Sequence, residues 1–295
     1  MDKKLPRIYL LATLTVALFS TQGLVGQSLS FDGDGDPGMV DGDYVSVAND
    51  ASLNFSTIEG RTLSAWFKVD EIPTSTWGSW VFKKSYSWTT GVYGIKIQNN
   101  GSMVVYVTQY SNIFGPTIVP GQWYHVLVKH SATNTLAYLY INGSYIGNTT
   151  TSGHGTSAAA LIIGAQDFSG NVSEIAIWRK DLSTTEVQEI YNGQNPLIDS
   201  ENYNASSDLE GYWNFNEGTG STLTDQTSNG NNGTIYGATW STDTPPPPPD
   251  YKWTSSDSSG GPVYSWEDIT STGTQISMSG DDQNTGPHPI GFSFP

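Results

Sequence analysis

Hydrophobic and polar positions alternate over short runs between residues 28 and 240, and this pattern predicts β-strands. The clearest run is 61–70, where Leu63, Ala65 and Phe67 fall on one face and mainly polar residues fall on the other. Further strands are predicted at 102–109, 122–130, 136–141, 160–164 and 172–178. Gly, Asn and Ser separate the runs, and Asn142-Gly143 predicts a tight hairpin turn. Many strands joined by such turns indicate an all-β sandwich or jelly roll.

One helix interrupts the strands. Ser183 and Glu186 have the spacing of a capping box, in which each side chain bonds the backbone N–H of the other residue. Val187 and Ile190 then give an apolar stripe, and Gly193 suits the position just past the helix end. Because the helix is short, we expect it to depend on packing against a sheet.

The first residues have the pattern of a secretory signal peptide. Basic Lys3, Lys4 and Arg7 precede an apolar run at 8–19, and small or polar residues follow at 20–26. The apolar run is far shorter than the ~20 residues that span a bilayer. We therefore assign 1–26 as a signal peptide and expect a secreted or cell-surface protein without membrane insertion.

A run of prolines divides the rest of the chain. Residues 245–249 are all proline and should form a stiff, extended spacer. This places a large domain at 27–241, a proline-rich linker at 242–250 and a second β-rich module at 251–295. The second module is short for an independent core, and the chain stops within an apparent strand pattern, so we expect it to be the truncated start of a longer module.

Several segments of the large domain resemble one known family. They are LSFDG at 29–33 with DYV at 43–45, GQWYHV at 121–126, AYLYING at 137–143, and the strand and helix at 172–190. In this order and spacing they are similar to laminin-G-like, concanavalin-A-like jelly-roll domains (LamG, pentraxin-like) of bacterial secreted proteins. The resemblance implies a two-sheet antiparallel jelly-roll sandwich with one short helix, followed here by the partial second β module.

The chain departs from the family pattern in two places. The segment 211–240 looks like the one that usually opens such a domain, and here it comes last. It either starts a second copy or closes the first domain, and we favour closure. Ser173-Glu174 stands where many relatives carry Asp-Glu, so a metal ligand that the aspartate supplies in relatives is not carried over.

Composition excludes several kinds of partner and site. Asp and Glu total 28 against 12 Lys and Arg, which gives a net charge of −16. Such a surface repels phosphates, so we expect no nucleic acid partner. The chain has no cysteine, which rules out disulfides, thiolate metal sites and a cysteine nucleophile.

Part of this acidity is concentrated in one loop, DGDGDPGMVDGD at 32–43. Calcium takes several carboxylate and carbonyl oxygens, which alternating Asp and Gly can supply. The candidate metal ligands are Asp32, Asp34, Asp36, Asp41 and Asp43. Pro37 stands where calcium loops of the EF-hand type need glycine, so the alternative is an acidic loop without an ion.

Aromatic residues form a second candidate site, because stacked rings can hold a sugar by its apolar face while amides bind its hydroxyls. Four aromatic residues fall within twelve positions, and two more candidates lie in the next predicted loop. The proposed ligand-binding residues are Trp77, Trp80, Tyr86, Trp88, Tyr110 and Asn112. The alternative for each ring is packing in the core.

No catalytic arrangement is recognisable in the sequence. The Gly-x-Ser-x-Gly and His-Glu-x-x-His patterns are absent, and the four histidines are scattered. The sequence therefore favours a non-catalytic extracellular module that binds a glycan or glycoprotein with calcium, at the front of a larger secreted or surface protein. The alternatives are an accessory domain of a secreted hydrolase, either a glycoside hydrolase or a protease with its catalytic part downstream, and a structural or adhesive repeat.

Overall fold

The alternation of the sequence is realised as two antiparallel sheets packed into a sandwich, which confirms the predicted fold class. A computed structural model describes residues 27–34, 42–55, 59–84, 93–108, 111–131, 133–151 and 157–247. The predicted signal peptide, the last two prolines of the run (Pro248 and Pro249) and the second module lie outside the described residues. Within them, no helix has the length and apolar character needed to cross a membrane.

The described residues form sixteen strands. In chain order these are β1 (Ser28–Asp32), β2 (Tyr44–Val47), β3 (Arg61–Val69), β4 (Ser79–Lys84), β5 (Tyr93–Ile97), β6 (Ser102–Thr108), β7 (Ser111–Thr117), β8 (Trp123–His130), β9 (Leu136–Ile141), β10 (Ser144–Thr150), β11 (Leu161–Ala165), β12 (Ser169–Trp178), β13 (Leu209–Trp213), β14 (Thr222–Leu223), β15 (Gly233–Tyr236) and β16 (Thr239–Ser241). The first sheet has the order β10-β9-β8-β3-β12-β1-β16, with β13 also pairing with β12. The second sheet has the order β14-β15-β2-β11-β4-β5-β6-β7.

The main core lies between the two sheets. Leu63, Ala65 and Phe67 of β3 point into it, which confirms the face that the alternation predicted. They meet fully buried residues of the second sheet such as Val45 and Phe82. Burying this apolar surface is the main force that holds the sheets together.

The last strands close both sheets of the same sandwich. β16 pairs with β1, β15 pairs with β2, and β13 pairs with β12. The segment from Leu209 to Ser241 thus returns beside the first strands of the domain. This is the closed arrangement favoured over the start of a second copy.

A second, smaller core covers the outer face of the first sheet. Helix α1 (Thr184–Tyr191) begins at Ser183, whose side chain accepts the Glu186 N–H while Glu186 accepts the Ser183 N–H. Its apolar stripe packs with strand residues and with the chain that follows it. The buried residues of this layer include Leu127, Trp178, Leu182, Val187, Ile190, Tyr203 and Leu209. The predicted helix, its cap and its packing against a sheet are confirmed.

The predicted hairpin turn joins β9 to β10. Asn142 has φ of 49° and Gly143 has φ of 72°, as a type I′ turn requires at both central positions. A Cβ at Gly143 would lie 2.6 Å from the Tyr191 ring, so the turn also packs against α1. Glycine is needed here both for its conformation and for the space.

Candidate functional site

Three of the five predicted metal ligands come together where β1 ends and β2 begins. Asp32 is the last residue of β1, and Asp43 directly precedes β2. Ligand oxygens of Asp32, Asp34 and Asp43 all lie within 4.8 Å of one another. The Asp32 N–H donates to Asp43 Oδ2 at 3.1 Å, and the Asp34 N–H donates to Asp32 Oδ1 at 3.1 Å. Asp36 and Asp41 lie outside the described residues.

Burial and the neighbouring carboxylates both oppose the negative charge of Asp43 in this acidic cluster. Partial burial raises the pKa of the Asp43 carboxyl above its ordinary value, and the charges of Asp32 and Asp34 add to the rise. The hydrogen bond from the Asp32 N–H opposes it. A cation between the three side chains would remove the repulsion that favours the protonated form.

The donor set of the cluster fits calcium. Calcium binds carboxylate oxygens at about 2.3–2.6 Å, so two oxygens on one ion lie at most about 5 Å apart. The 4.8 Å limit within the cluster satisfies this condition. Gly237 packs against the cluster, since a Cβ there would lie within van der Waals overlap of Asp43 Oδ1. Asp32, Asp34 and Asp43 are therefore the residues that would hold the ion.

The structure divides the predicted aromatic set. Trp77 lies in a turn and is 58% exposed. Trp80 lies inside β4 rather than in a loop, where it is paired with Lys96 of β5 and Ala165 of β11, and it is 5% exposed. Asn112 lies in β7. Tyr86, Trp88 and Tyr110 lie outside the described residues.

Trp80 is the centre of a polar and aromatic patch on the outer face of the second sheet. Two ammonium groups face its ring, Lys83 Nζ at 5.9 Å and Lys96 Nζ at 5.4 Å from the ring centroid. The Tyr106 ring lies 5.2 Å from the Trp80 ring, and Asn112 is the cross-strand partner of Tyr106. We call Trp80, Lys83, Lys96, Tyr106 and Asn112 the tryptophan–lysine face.

The two lysines of this face share an environment that opposes their charge. Burial lowers the pKa of Lys83 to about 8, and the neighbouring charge of Lys96 contributes. Burial also lowers the pKa of Lys96. Within the part of the chain that the structure describes, Lys83 forms no hydrogen bond or ion pair. An anion beside both ammonium groups would be favourable because it would neutralise their repulsion.

Lys83, Lys96 and Tyr106 were not among the site residues predicted from the sequence. One signal was present: in a chain with only 12 basic residues, two lysines stand within apolar strand patterns at 83 and 96. A basic residue in such a run is a candidate for function. Their meeting on one ring depends on the pairing of β4 with β5, which the sequence did not predict.

A pocket opens on the outer face of the first sheet, beside α1. Its volume is about 300 Å³, and its walls include Trp66, Glu174, Tyr191 and Asn214. The rings of Trp66 and Tyr191 are stacked, with centroids 6.0 Å apart and planes at 24°. Glu174 is exposed and has φ of 47°, in a β-bulge of β12.

A serine and a histidine meet behind this pocket. Ser64 Oγ and His125 Nε2 lie 2.8 Å apart, but the two residues are only 3% and 1% exposed. Burial lowers the pKa of His125 to about 3, so the ring is neutral at physiological pH. Without contact to solvent, this pair cannot meet a substrate as it stands.

The fold and these surfaces define a two-sheet jelly-roll sandwich, with an acidic cluster where β1 ends and β2 begins and an aromatic face on one sheet. The chain belongs to the concanavalin A-like lectin/glucanases superfamily, because the family model Laminin_G_3 matches residues 39–188. This confirms the resemblance seen in the sequence.

Comparison with solved structures finds similarity at low sequence identity. A Bacteroides ovatus protein proposed to bind carbohydrate matches with a TM-score of 0.54 and 18% identity, over 76% of this chain and 61% of that one. The heptameric SAP-like pentraxin of Limulus polyphemus matches with a TM-score of 0.42 and 18% identity, over 59% of this chain and 83% of that one. The chain thus spans less than two thirds of the Bacteroides structure. No protein of curated function is similar enough in sequence to count as a relative.

Proposed function

We propose that this chain is an extracellular, non-catalytic module that binds an acidic glycan, free or on a glycoprotein, on the tryptophan–lysine face. The observation that carries the proposal is the pair of lysine ammonium groups over the Trp80 ring. In this account residues 1–26 direct export and are removed, and the domain forms the front of a larger secreted or surface protein.

The chemistry of the face suits a sugar that carries a carboxylate. Trp80, Lys83 and Lys96 are 5%, 8% and 7% exposed, so a ligand would reach the ammonium groups only at the edge of the buried ring. A uronate or sialate carboxylate would pair with the ammonium groups while its ring packs beside Tyr106. Asn112 would bind ring hydroxyls from the neighbouring strand.

Membership of the superfamily supports this proposal at the level of the fold, since its description includes lectins. The Bacteroides protein supports it in the same limited way. Fold alone does not set the ligand, and the acidic preference is inferred from the lysines of this chain.

The proposal also includes a calcium ion with a structural role. Asp32 belongs to the first sheet and Asp43 adjoins the second, so an ion held by Asp32, Asp34 and Asp43 would tie the two sheets together. The ion would hold the connection between β1 and β2 in place. It would take no direct part in holding the glycan on the tryptophan–lysine face.

A glycan array tests the proposed function. The mature chain should bind uronate- or sialate-containing glycans, and Lys83→Gln should weaken this binding by about tenfold. Tyr145→Ala is the matched control, because Tyr145 is an aromatic residue 52% exposed on β10 of the other sheet. Failure to bind any acidic glycan with and without calcium, or equal losses in both variants, would contradict the proposal.

A further inference from the structure

The pocket on the first sheet contains a strained acidic residue. Glu174 lies in the bulge between Ser173 and Ala176 of β12, with φ of 47°. Side chains other than glycine rarely adopt this left-handed conformation, which costs free energy. Glycine is the usual residue at such a bulge, so the glutamate side chain is retained at a cost to stability.

None of the residues that the structure describes is a counter-ion of the Glu174 carboxylate. It forms no hydrogen bond or ion pair with any residue that the structure describes, and no basic residue lines the pocket within that part of the chain. Although Glu174 is exposed, the residues around its carboxyl remove part of its hydration, and this raises its pKa above the ordinary value. A cation at the carboxylate would recover part of that lost hydration energy.

Aromatic and proline side chains line much of the rest of the pocket, together with the polar residues Ser173, Asn214 and Thr244. Trp66 and Tyr191 present their stacked rings on one side, and Pro245, Pro246 and Pro247 line another. Aromatic rings attract an organic cation through their negatively charged faces and pack against its methylene groups. The volume of about 300 Å³ holds a chain of several carbon atoms with its ammonium group.

We propose that this pocket binds a primary alkylammonium group, with the Glu174 carboxylate as its counter-ion and the Trp66 and Tyr191 rings against its methylene stem. Such a group is carried by the side chain of lysine in a peptide and by free diamines. The site lies on the opposite sheet from the tryptophan–lysine face, so it is independent of the proposed glycan function.

Calorimetry on the mature chain tests this site with n-butylammonium as the probe and n-butanol as its uncharged counterpart. Butylammonium should bind saturably and butanol should not. Glu174→Gln should weaken butylammonium binding by at least about tenfold. Glu201→Gln, which removes the same charge from an exposed turn, should change it by less than about twofold.

Two further ligands identify the source of the ammonium group. Nα-acetyl-lysine methylamide binding more tightly than butane-1,4-diamine supports a peptide ligand, and the reverse order supports a free diamine. Failure of all three amines to bind, equal binding by wild type and Glu174→Gln, or tighter binding of a neutral hexose would overturn the proposal.

The strain at Glu174 supplies an independent readout. Glu174→Gly should relieve the left-handed conformation, so it should keep or raise the melting temperature while amine binding is lost. A glycine variant that melts lower and still binds butylammonium would contradict the role of this side chain. The glycan array is unaffected by either result, so failure here is distinguishable from failure of the proposed function.

Discussion

The local environment of a single residue sets its charge state, as the two lysines over the Trp80 ring show. A lysine that is kept from solvent beside a second lysine holds its proton less tightly, which is why the pKa of Lys83 falls to about 8. A cation–π contact with the indole ring of Trp80 compensates part of the hydration energy that the Lys83 ammonium loses on burial. Such a group is poised to gain from an anion.

This environment predicts a pH dependence of glycan binding. Only the protonated lysine attracts a carboxylate, and the pKa of Lys83 is lowered to about 8, so affinity should be full at pH 6.5 and fall as the pH rises above 8. Calorimetry with one acidic glycan between pH 6.5 and 9.5 measures it. An affinity that is flat over this range would contradict the role of Lys83.

Glycine at the β9–β10 turn gives a stability prediction. Gly143→Ala places a Cβ against the Tyr191 ring and strains a φ of 72°, so it should destabilise the domain by roughly 2 kcal/mol. Gly147→Ala is the control, because a Cβ at Gly147 meets nothing within 4 Å. Urea unfolding of both variants measures the difference, and equal stabilities would refute the explanation.

Several site residues were predictable from the sequence because the chemistry is local. Asp32, Asp34 and Asp43 stand within twelve positions, and the cluster in the structure follows from their closeness along the chain. Lys83 and Lys96 are brought together only by strand pairing. A pattern along one strand carries no information about its neighbour.

Among the elements, the capped helix was the most predictable. Its hydrogen bonds join Ser183 to Glu186, three positions apart, so the sequence contains both partners. The Lys180 ammonium also binds the Glu186 carboxylate at 2.8 Å and keeps the pKa of that group low.

The cap gives a second stability prediction. Ser183→Ala removes the acceptor for the Glu186 N–H and should cost about 1 kcal/mol. Thr185→Ala is a suitable control, because Thr185 is exposed in the first turn and takes no part in the cap. Thermal or urea unfolding compares the two. If Ser183→Ala were no less stable than Thr185→Ala, the cap would not contribute.

The strands were predicted unevenly, for a physical reason. β3, β8 and β9 are regular, and their alternation or apolar density marks them within one or two residues. β4 contains an irregularity between Trp80 and Phe82, and both Val81 and Phe82 enter the core. The bulge breaks the period of two on which the prediction depends, so β4 and the position of Trp80 were missed.

At the scale of the whole molecule, closure of the sandwich joins residues far apart in the chain. Ser28 of β1 is the partner of Ser241 of β16, and Ser28 Oγ also donates to the Asp243 carbonyl. Asp243 in turn pairs with Lys68 of β3. From sequence motifs, the segment 211–240 could either start a second domain or close the first one. The long-range strand pairings show that it closes the first.

Calcium should stabilise the whole domain, since it would bind the folded cluster and not the unfolded chain. At a free calcium concentration of 100 times Kd, the gain is about 2.7 kcal/mol. We therefore expect calcium to raise the melting temperature and a chelator to lower it. Asp34→Asn should reduce this response, whereas Asp181→Asn, which removes a carboxylate outside the cluster, should not.

The wild-type protein alone also tests whether calcium binds to this cluster. A melting temperature that is the same with calcium and with chelator would contradict it, whatever the variants do. Because Asp43 packs against Gly237, Gly237→Ala should displace the carboxylate and weaken the calcium response without removing a ligand.

The central claim is that the tryptophan–lysine face selects acidic sugars. The most direct measurement compares the affinity of the mature chain for one acidic oligosaccharide, chosen from the array, with its affinity for the carboxyl-reduced form. We predict at least about tenfold tighter binding of the acidic form, and loss of this preference in Lys83→Gln. Equal affinity of the wild type for both forms would contradict the account.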